Sequence, residues 1–277
     1  MSVVSQNPKV FVAPIEYVSL SIPSWCLSES NYKFMVQVVV KKDVPDGPSV
    51  VQLQSRWKGL TLETLQSACE YLATADAKLA PLIQLHGIPD RLLVKGPGAF
   101  ATLSKSICFQ QLATAAAAKI FARVLEACGC TEAGILDYSS VLNAPHEALC
   151  AAGLSRNKAS YLHDLACHFQ DGHLSDEIIM ELDTQGLHTS LTKVRGLGPW
   201  SVDMFAMFHL GLPDVLPVGD LGVRRGMQAL YGLKSLPTPS QMEAIASSWQ
   251  PWRSVGSYFM WRVDTSGLLK PPKRKST

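Results

Sequence analysis

Beyond Leu60 the chain alternates apolar and polar residues with a helical period. Leu62, Leu65, Cys69 and Leu72 fall three or four positions apart, which lines one face of a helix. Lys95-Gly-Pro-Gly98 breaks that texture, and the alanine-rich apolar run after it predicts one long helix from Ala99 to Ala127. The same periodicity predicts further helices at 145–152, 155–169, 176–182, 187–194, 199–210, 221–231, 239–249 and 252–265. Thr238 as N-cap, Pro239 at the first helical position and Gln241 at the third form a capping-box pattern. Gly153, Gly186, Gly211 and Gly232 stand where helices should stop. Before Leu60 the period changes. Val10-Phe-Val-Ala, Tyr17-Val-Ser-Leu-Ser-Ile and the stretch from Tyr32 to Val40 read as two or three strands, with turn chemistry at Asp46-Gly47-Pro48. The expectation is a mostly α protein: a helical body at 60–268, a small β-prone or partly disordered segment at 1–59, and a tail at 269–277.

At 277 residues and 47% apolar content the chain can bury a sizeable core. The net charge of +2 is too small to name a partner, but it is unevenly divided. Residues 186–277 carry 11 Lys+Arg against 5 Asp+Glu, and residues 1–185 carry 14 against 18, so +6 faces −4. A phosphate-binding face is therefore expected in the C-terminal third. Seven scattered cysteines read as reduced, packed thiols. Cys128-Gly-Cys130 lacks the second pair a zinc site needs, and no cysteine after Cys167 could ligate an iron–sulfur cluster. No run approaches the roughly 20 apolar residues of a membrane span. No secretory leader pattern opens the chain, so a reducing compartment is expected. The tail Lys270-Pro-Pro-Lys-Arg-Lys275 reads either as a nuclear import address or as a solvated terminus.

The most informative stretch runs from Leu191 to Arg225. Leu191-Thr-Lys-Val-Arg-Gly196-Leu-Gly198-Pro-Trp200 places a two-glycine turn between amphipathic helices. Amides near Gly196, Gly198 and Ser201 would point out of the positive end of the second helix, which suits an anion. A dinucleotide site would need a preceding strand and a third glycine, and Ser201 occupies that place. After the second helix, Leu216-Pro-Val-Gly-Asp220 leads into Leu221-Gly-Val-Arg-Arg225. Asp220 reads as an N-cap and equally as a fixed anion at a cleft mouth, since a cap holds its carboxylate in one orientation.

With the upstream Ile107-Cys-Phe-Gln110-Gln111 and Gly153-Leu-Ser-Arg-Asn-Lys158-Ala159 and the downstream Pro251-Trp-Arg-Ser254 and Trp261, this stretch resembles the helix-hairpin-helix DNA glycosylases, specifically the 3-methyladenine DNA glycosylase II type. The resemblance covers roughly Leu60 to Gly267. It implies an enzyme of base-excision repair that flips an alkylated purine out of double-stranded DNA and hydrolyses its N-glycosidic bond. Asp220 would be the catalytic carboxylate, and Trp200, Met204 and Trp261 would form the base pocket. Gln110, Gln111 and Leu112 would supply the wedge that fills the vacated space. Gly196, Gly198 and Ser201 would hold a phosphate, with Arg224, Arg225 and Arg253 as further phosphate contacts. Main-chain carbonyls of Thr192, Val194 and Leu197 would bind a sodium or potassium ion, and the chemistry itself would need no cofactor. Trp200 stands where relatives that also cut the backbone carry a Schiff-base lysine, which implies a monofunctional enzyme. The partner implied is damaged duplex DNA, with no membrane; a monomer in the nucleus is expected.

Departure of the base builds positive charge on the sugar, so an anion beneath it is the useful group. At about 4 Å and an effective dielectric of about 20 that interaction is worth roughly 4 kcal/mol, or about a thousandfold in rate. Two rivals stay open: a non-catalytic DNA-binding module built on the same hairpin, and a glycosylase with lyase activity and oxidised-base preference. A Ser/His/Asp hydrolase has no G-x-S-x-G to support it, and His163-Asp164 reads as surface pairing.

Overall fold

A computed structural model describes residues 59–93, 96–132 and 134–264. The β-prone expectation for the N-terminal segment and the reading of the tail lie outside these residues. The described part is helical, without a strand among its residues. In chain order the helices are α1 (Leu62–Ala75), α2 (Ala80–His86), α3 (Ala99–Phe109), α4 (Thr114–Ala127), α5 (Tyr138–Asn143), α6 (His146–Ala151), α7 (Arg156–Gln170), α8 (Asp176–Glu181), α9 (Thr184–Leu191), α10 (Pro199–Phe205), α11 (Leu221–Tyr231), α12 (Pro239–Ile245) and α13 (Arg253–Met260). A π-helical turn, Ala206–Leu210, extends α10, and a 3-10 turn, Ala246–Trp249, extends α12.

Side-chain caps set most starts. Asp137, Ser155, Ser175, Asp183, Asp220 and Thr238 each accept the amide three residues on, satisfying an orphan donor of the first turn. The Thr238 capping box forms as the sequence indicates, with the Thr238 amide donating to Gln241 Oε1 at 2.9 Å. Gly211 and Gly232 close their helices in the left-handed region at φ 65° and 67°. Gly186 corrects the expectation. It sits in the first turn of α9 and donates its amide to the Asp183 cap at 2.7 Å, so the helix starts there instead of stopping.

The long helix expected over 99–127 is also corrected. It breaks into α3 and α4 at Gln110–Ala113, where Gln111 takes a left-handed φ of 58°. Lys158 stabilises the break: its ammonium donates to the carbonyls of Cys108 at 2.9 Å and Gln110 at 2.6 Å, groups that helix termination strands. Alanine periodicity carries no sign of a lysine fifty residues away.

Two apolar cores result. One gathers the buried faces of α3 through α10 around Leu103, Ile107, Leu149, Leu162, Leu191 and Phe205. The other joins α1 to α11, α12 and α13 around Leu65, Leu72, Met227, Trp249 and Phe259. Phe208 and Trp261 pack against both, so the seam between the cores runs past the end of α13. There α11 approaches α13 closely enough that a Cβ on Gly226 would stand 2.1 Å from the Met260 carbonyl oxygen, which only glycine permits.

Candidate active site

Asp220 sits at this seam. As N-cap of α11 it is 9% exposed, and its carboxylate accepts three N–H groups. Oδ1 takes the Val223 amide and the Trp261 indole, each at 2.8 Å, and Oδ2 takes the Trp200 indole at 2.8 Å. The cap therefore fixes the carboxylate, as the sequence suggests, and two tryptophans, one on α10 and one just after α13, clamp it. Trp200, on the first turn of α10, is 44% exposed, so core burial does not describe it. Trp261 tilts against Phe208 with ring centroids 5.8 Å apart. Met204, one turn beyond Trp200, is half-buried against the first core.

The sequence reading missed Gly222. A Cβ there would meet Trp261 Cδ1 at 2.5 Å and Nε1 at 2.7 Å, so its absence lets the indole reach Oδ1. The available signal was a glycine in each of two successive turns of α11, at Gly222 and Gly226, since interior glycine costs a helix up to about 1 kcal/mol and wants a packing reason.

The loop before Asp220 is strapped to α13. Arg253 donates Nε to Asp214 Oδ1 at 2.6 Å and a terminal nitrogen to Oδ2 at 2.8 Å, a bidentate pair that holds the guanidinium above its ordinary pKa. Buried Ser254 donates its hydroxyl to the Leu212 carbonyl at 2.6 Å and accepts the Val215 amide at 3.0 Å. Arg253, expected as a phosphate contact, is engaged here with Asp214 and straps the loop. Arg224, expected in the same role, donates Nε to the Pro237 carbonyl at 3.1 Å. Arg225 stays exposed on α11.

The hairpin between α9 and α10 is braced from three sides. Gln110, expected in a wedge, turns inward and donates its amide to the Gly196 carbonyl at 2.9 Å. Gln111 and Leu112, at the tip of the same loop, are exposed. Asp164 accepts the Arg195 amide at 2.8 Å and its Nε at 3.1 Å, so Asp164 pairs with the hairpin, and His163 turns to the Ala144 carbonyl. That corrects the expected His163-Asp164 pairing. His188 on α9 meets buried Asp203 on α10 at 2.9 Å; desolvation raises the Asp203 carboxyl and the imidazole opposes that rise.

Gly196 has φ 87°, and a Cβ on it would lie 2.2 Å from the Tyr161 ring, so this glycine serves both conformation and close packing. Gly198 has no such need. Its φ of −93° is ordinary and its Cα faces open space. The amides of Gly196 and Gly198 meet no acceptor among the described residues, whereas the Ser201 amide donates to the Gly198 carbonyl at 2.9 Å and is buried. Ser201 therefore leaves the expected set of outward donors. Of the three carbonyls expected to hold a cation, Val194 accepts the Leu197 amide at 3.1 Å, and those of Thr192 and Leu197 receive no hydrogen bond among the described residues. Among those residues no His/Cys/Asp/Glu group fit for a metal occurs, and no helix is long and apolar enough to cross a membrane.

The HhH-GPD superfamily of base excision DNA repair proteins matches residues 104–251, which takes in the hairpin, the loop and Asp220. The chain belongs to that superfamily. A DNA-3-methyladenine glycosylase of Saccharomyces cerevisiae is 25% identical over 277 aligned positions, covering 83% of this chain and 91% of that one. One of Bacillus subtilis is 29% identical over 106 residues, 38% of this chain; the chain spans 60% and 35% of the length of two relatives from that organism. Among solved HhH-GPD-like folds, a Schizosaccharomyces pombe 3-methyladenine DNA glycosylase in complex with abasic DNA has a TM-score of 0.62 at 26% identity, over 71% of this chain and 95% of that one.

Proposed function

We propose that this HhH-GPD protein is a monofunctional DNA glycosylase that releases alkylated purines of the 3-methyladenine type from duplex DNA. The observation that carries the reading is Asp220: a carboxylate held rigidly by three N–H donors, one of them on an exposed indole, at the seam of two helical cores. A carboxylate held in this way reorganises little when positive charge grows on a sugar above it. An alkylated purine already carries a positive charge and departs as a neutral molecule, so one carboxylate suffices and no strong acid is needed. The exposed face of Trp200 offers a surface on which an extruded base can stack, with Trp261 and Met204 behind it.

The hairpin supplies the grip. Gly196 and Gly198 direct their amides to the phosphate backbone, and the Thr192, Val194 and Leu197 carbonyls offer oxygen ligands to a sodium or potassium ion that adds positive charge there. Gln111 and Leu112 act as the wedge, with Gln110 bracing the loop from within. An imine-forming lyase needs an amine beside the carboxylate, and the donors to Asp220 are two indoles and a backbone amide. Action as a monomer, in the nucleus, belongs to the same proposal.

The test is release of 3-methyladenine from methylated duplex DNA by the wild type and by Asp220→Asn. Release that depends on Asp220 supports the reading. Full release by the folded variant takes Asp220 out of the chemistry, and tight lesion binding with no release by the wild type makes the chain a binding module.

A further inference from the structure

A second cluster of reactive side chains lies where α6 meets α7. Cys150 on α6 places Sγ 3.7 Å from Nδ1 of His146, one turn earlier. The other ring nitrogen of His146, Nε2, lies 3.2 Å from the Arg156 carbonyl and 3.2 Å from Ser160 Oγ. Ser160 already donates its hydroxyl proton to that same carbonyl at 3.0 Å. A carbonyl can only accept, and the Ser160 proton is committed, so the imidazole proton must reside on Nε2. Nδ1 is then a bare acceptor aimed at the thiol. This is the nucleophile, base and orienting group arrangement of thiol catalysis, with a backbone carbonyl as the third member.

The pair opens onto a cavity of about 210 Å³ lined by His146, Glu147, Cys150 and Arg156. That is smaller than the ~300 Å³ at which sites for drug-sized ligands begin, so it suits a small reactant. Glu147 and Arg156 put opposite charges on its walls, and His163 packs against His146 with centroids 6.0 Å apart. The other described thiols differ. Burial pushes Cys69 and Cys128 up to about 11 and Cys108 up to about 12, which keeps them protonated; Cys130 is buried beside the Asp137 carboxylate, and Cys167 is exposed.

We propose that Cys150 is a thiol–disulfide exchange site that accepts a small disulfide carrying an acidic group, with His146 as its base and Arg156 as the counter-charge. His146 Nδ1 takes the Sγ proton and the thiolate attacks one sulfur of the incoming disulfide. That S–S bond breaks as the mixed disulfide at Cys150 forms. The departing thiolate is reduced and takes the proton from His146, while the Cys150 sulfur is oxidised. The adduct is reversible by any small thiol. Nothing in this chemistry depends on the glycosylase reading.

The full chain is treated with substoichiometric 5,5′-dithiobis(2-nitrobenzoate), an acidic disulfide, or neutral 4,4′-dithiodipyridine, and adducts are located by peptide mapping. Cys150 is expected to react before Cys167 with both probes. His146→Gln slows Cys150 roughly tenfold with both. Arg156→Ala slows only the acidic probe, by about threefold, as suits an exposed charge. Labelling of Cys150 no faster than Cys167 in the unmodified protein overturns the proposal without recourse to any variant. An unchanged rate in a His146→Gln protein of native circular dichroism removes the base.

Discussion

Helix α11 has a carboxylate at each end, and the two hold similar donors to different effect. At its start, Asp220 accepts two indoles and a backbone amide. Against its last residue, Asp76 accepts the Tyr231 hydroxyl, the Trp249 indole at 3.0 Å and the Lys78 amide at 3.0 Å. These bonds hold the Asp76 carboxyl below the usual range although burial pushes the other way, and Tyr231 is driven upward by burial and by Asp76. The difference lies in what backs the donors. Trp249 is wholly buried in the second core, and Lys78 caps the end of α11 through the Leu230 carbonyl at 3.2 Å. Trp200 is 44% exposed, so the donor to Oδ2 of Asp220 sits on a side chain that solvent reaches. The donor chemistry is shared; what differs is that the indole on Oδ2 of Asp220 is exposed and the indole on Asp76 is buried.

The sharpest way to break this comparison is to neutralise each carboxylate in turn. Asp220→Asn removes the charge but keeps a good N-cap, so base release is expected to fall about a thousandfold while stability changes by less than about 1 kcal/mol. Single-turnover release from methylated DNA, alongside urea unfolding, measures both.

Asp76→Ala should do the reverse. It strands the buried Trp249 donor and the partly buried Tyr231 hydroxyl and is expected to cost about 2 kcal/mol in urea, with single-turnover release by folded protein unchanged. Because the folded Asp76 carboxyl lies below its unfolded value near 4, its contribution is present above that value and fades as pH drops through the folded one. The stability gap between wild type and Asp76→Ala should therefore be level from about pH 5 to 7 and shrink towards pH 2. A gap that widens in acid would mean the carboxyl is not stabilised in the fold.

Gly222→Ala probes the clamp without touching Asp220. The added methyl needs the space of the Trp261 indole, so that donor must leave Oδ1 or α11 must shift. About a tenfold loss of release is expected, with a stability cost near 1 kcal/mol. Gly226→Ala is the control: it meets the Met260 backbone, which cannot swing aside, so stability falls further than for Gly222→Ala.

Much of this was legible in the sequence. The helical body, the caps at Thr238 and Asp220 and the hairpin corner all come from local rules, in which a residue and its partner lie within four positions. Asp220 was legible as a cap, and the resemblance to the glycosylases singled it out as the candidate carboxylate. Several differences share one physical form: each depends on a partner distant in sequence. The break at Gln111 needs Lys158, the strap needs Arg253 to find Asp214, and the inward turn of Gln110 needs the Gly196 carbonyl. Charged and amide side chains near a DNA-binding motif invite a phosphate or base contact, and spacing alone cannot tell that the fold has already engaged them. Gly186 failed for a different reason, because glycine suits either end of a helix and Asp183 decided which.

Trp200→Phe is the smallest and most discriminating change. It keeps a flat aromatic face for the extruded base and removes only the N–H that donates to Oδ2. One hydrogen bond to a carboxylate at a surface accessible to water is worth about 1 kcal/mol or less, which corresponds to a loss of roughly threefold to fivefold in single-turnover release. Trp200→Ala removes the face as well, and stacking of a base is worth about 1–3 kcal/mol, so its loss should exceed that of Trp200→Phe by about tenfold. If both variants lose the same amount, the indole acts through Asp220 alone and the base stacks elsewhere. If Trp200→Phe is silent and Trp200→Ala is not, the second indole, from Trp261, orients the carboxylate by itself and the exposed ring is purely a platform.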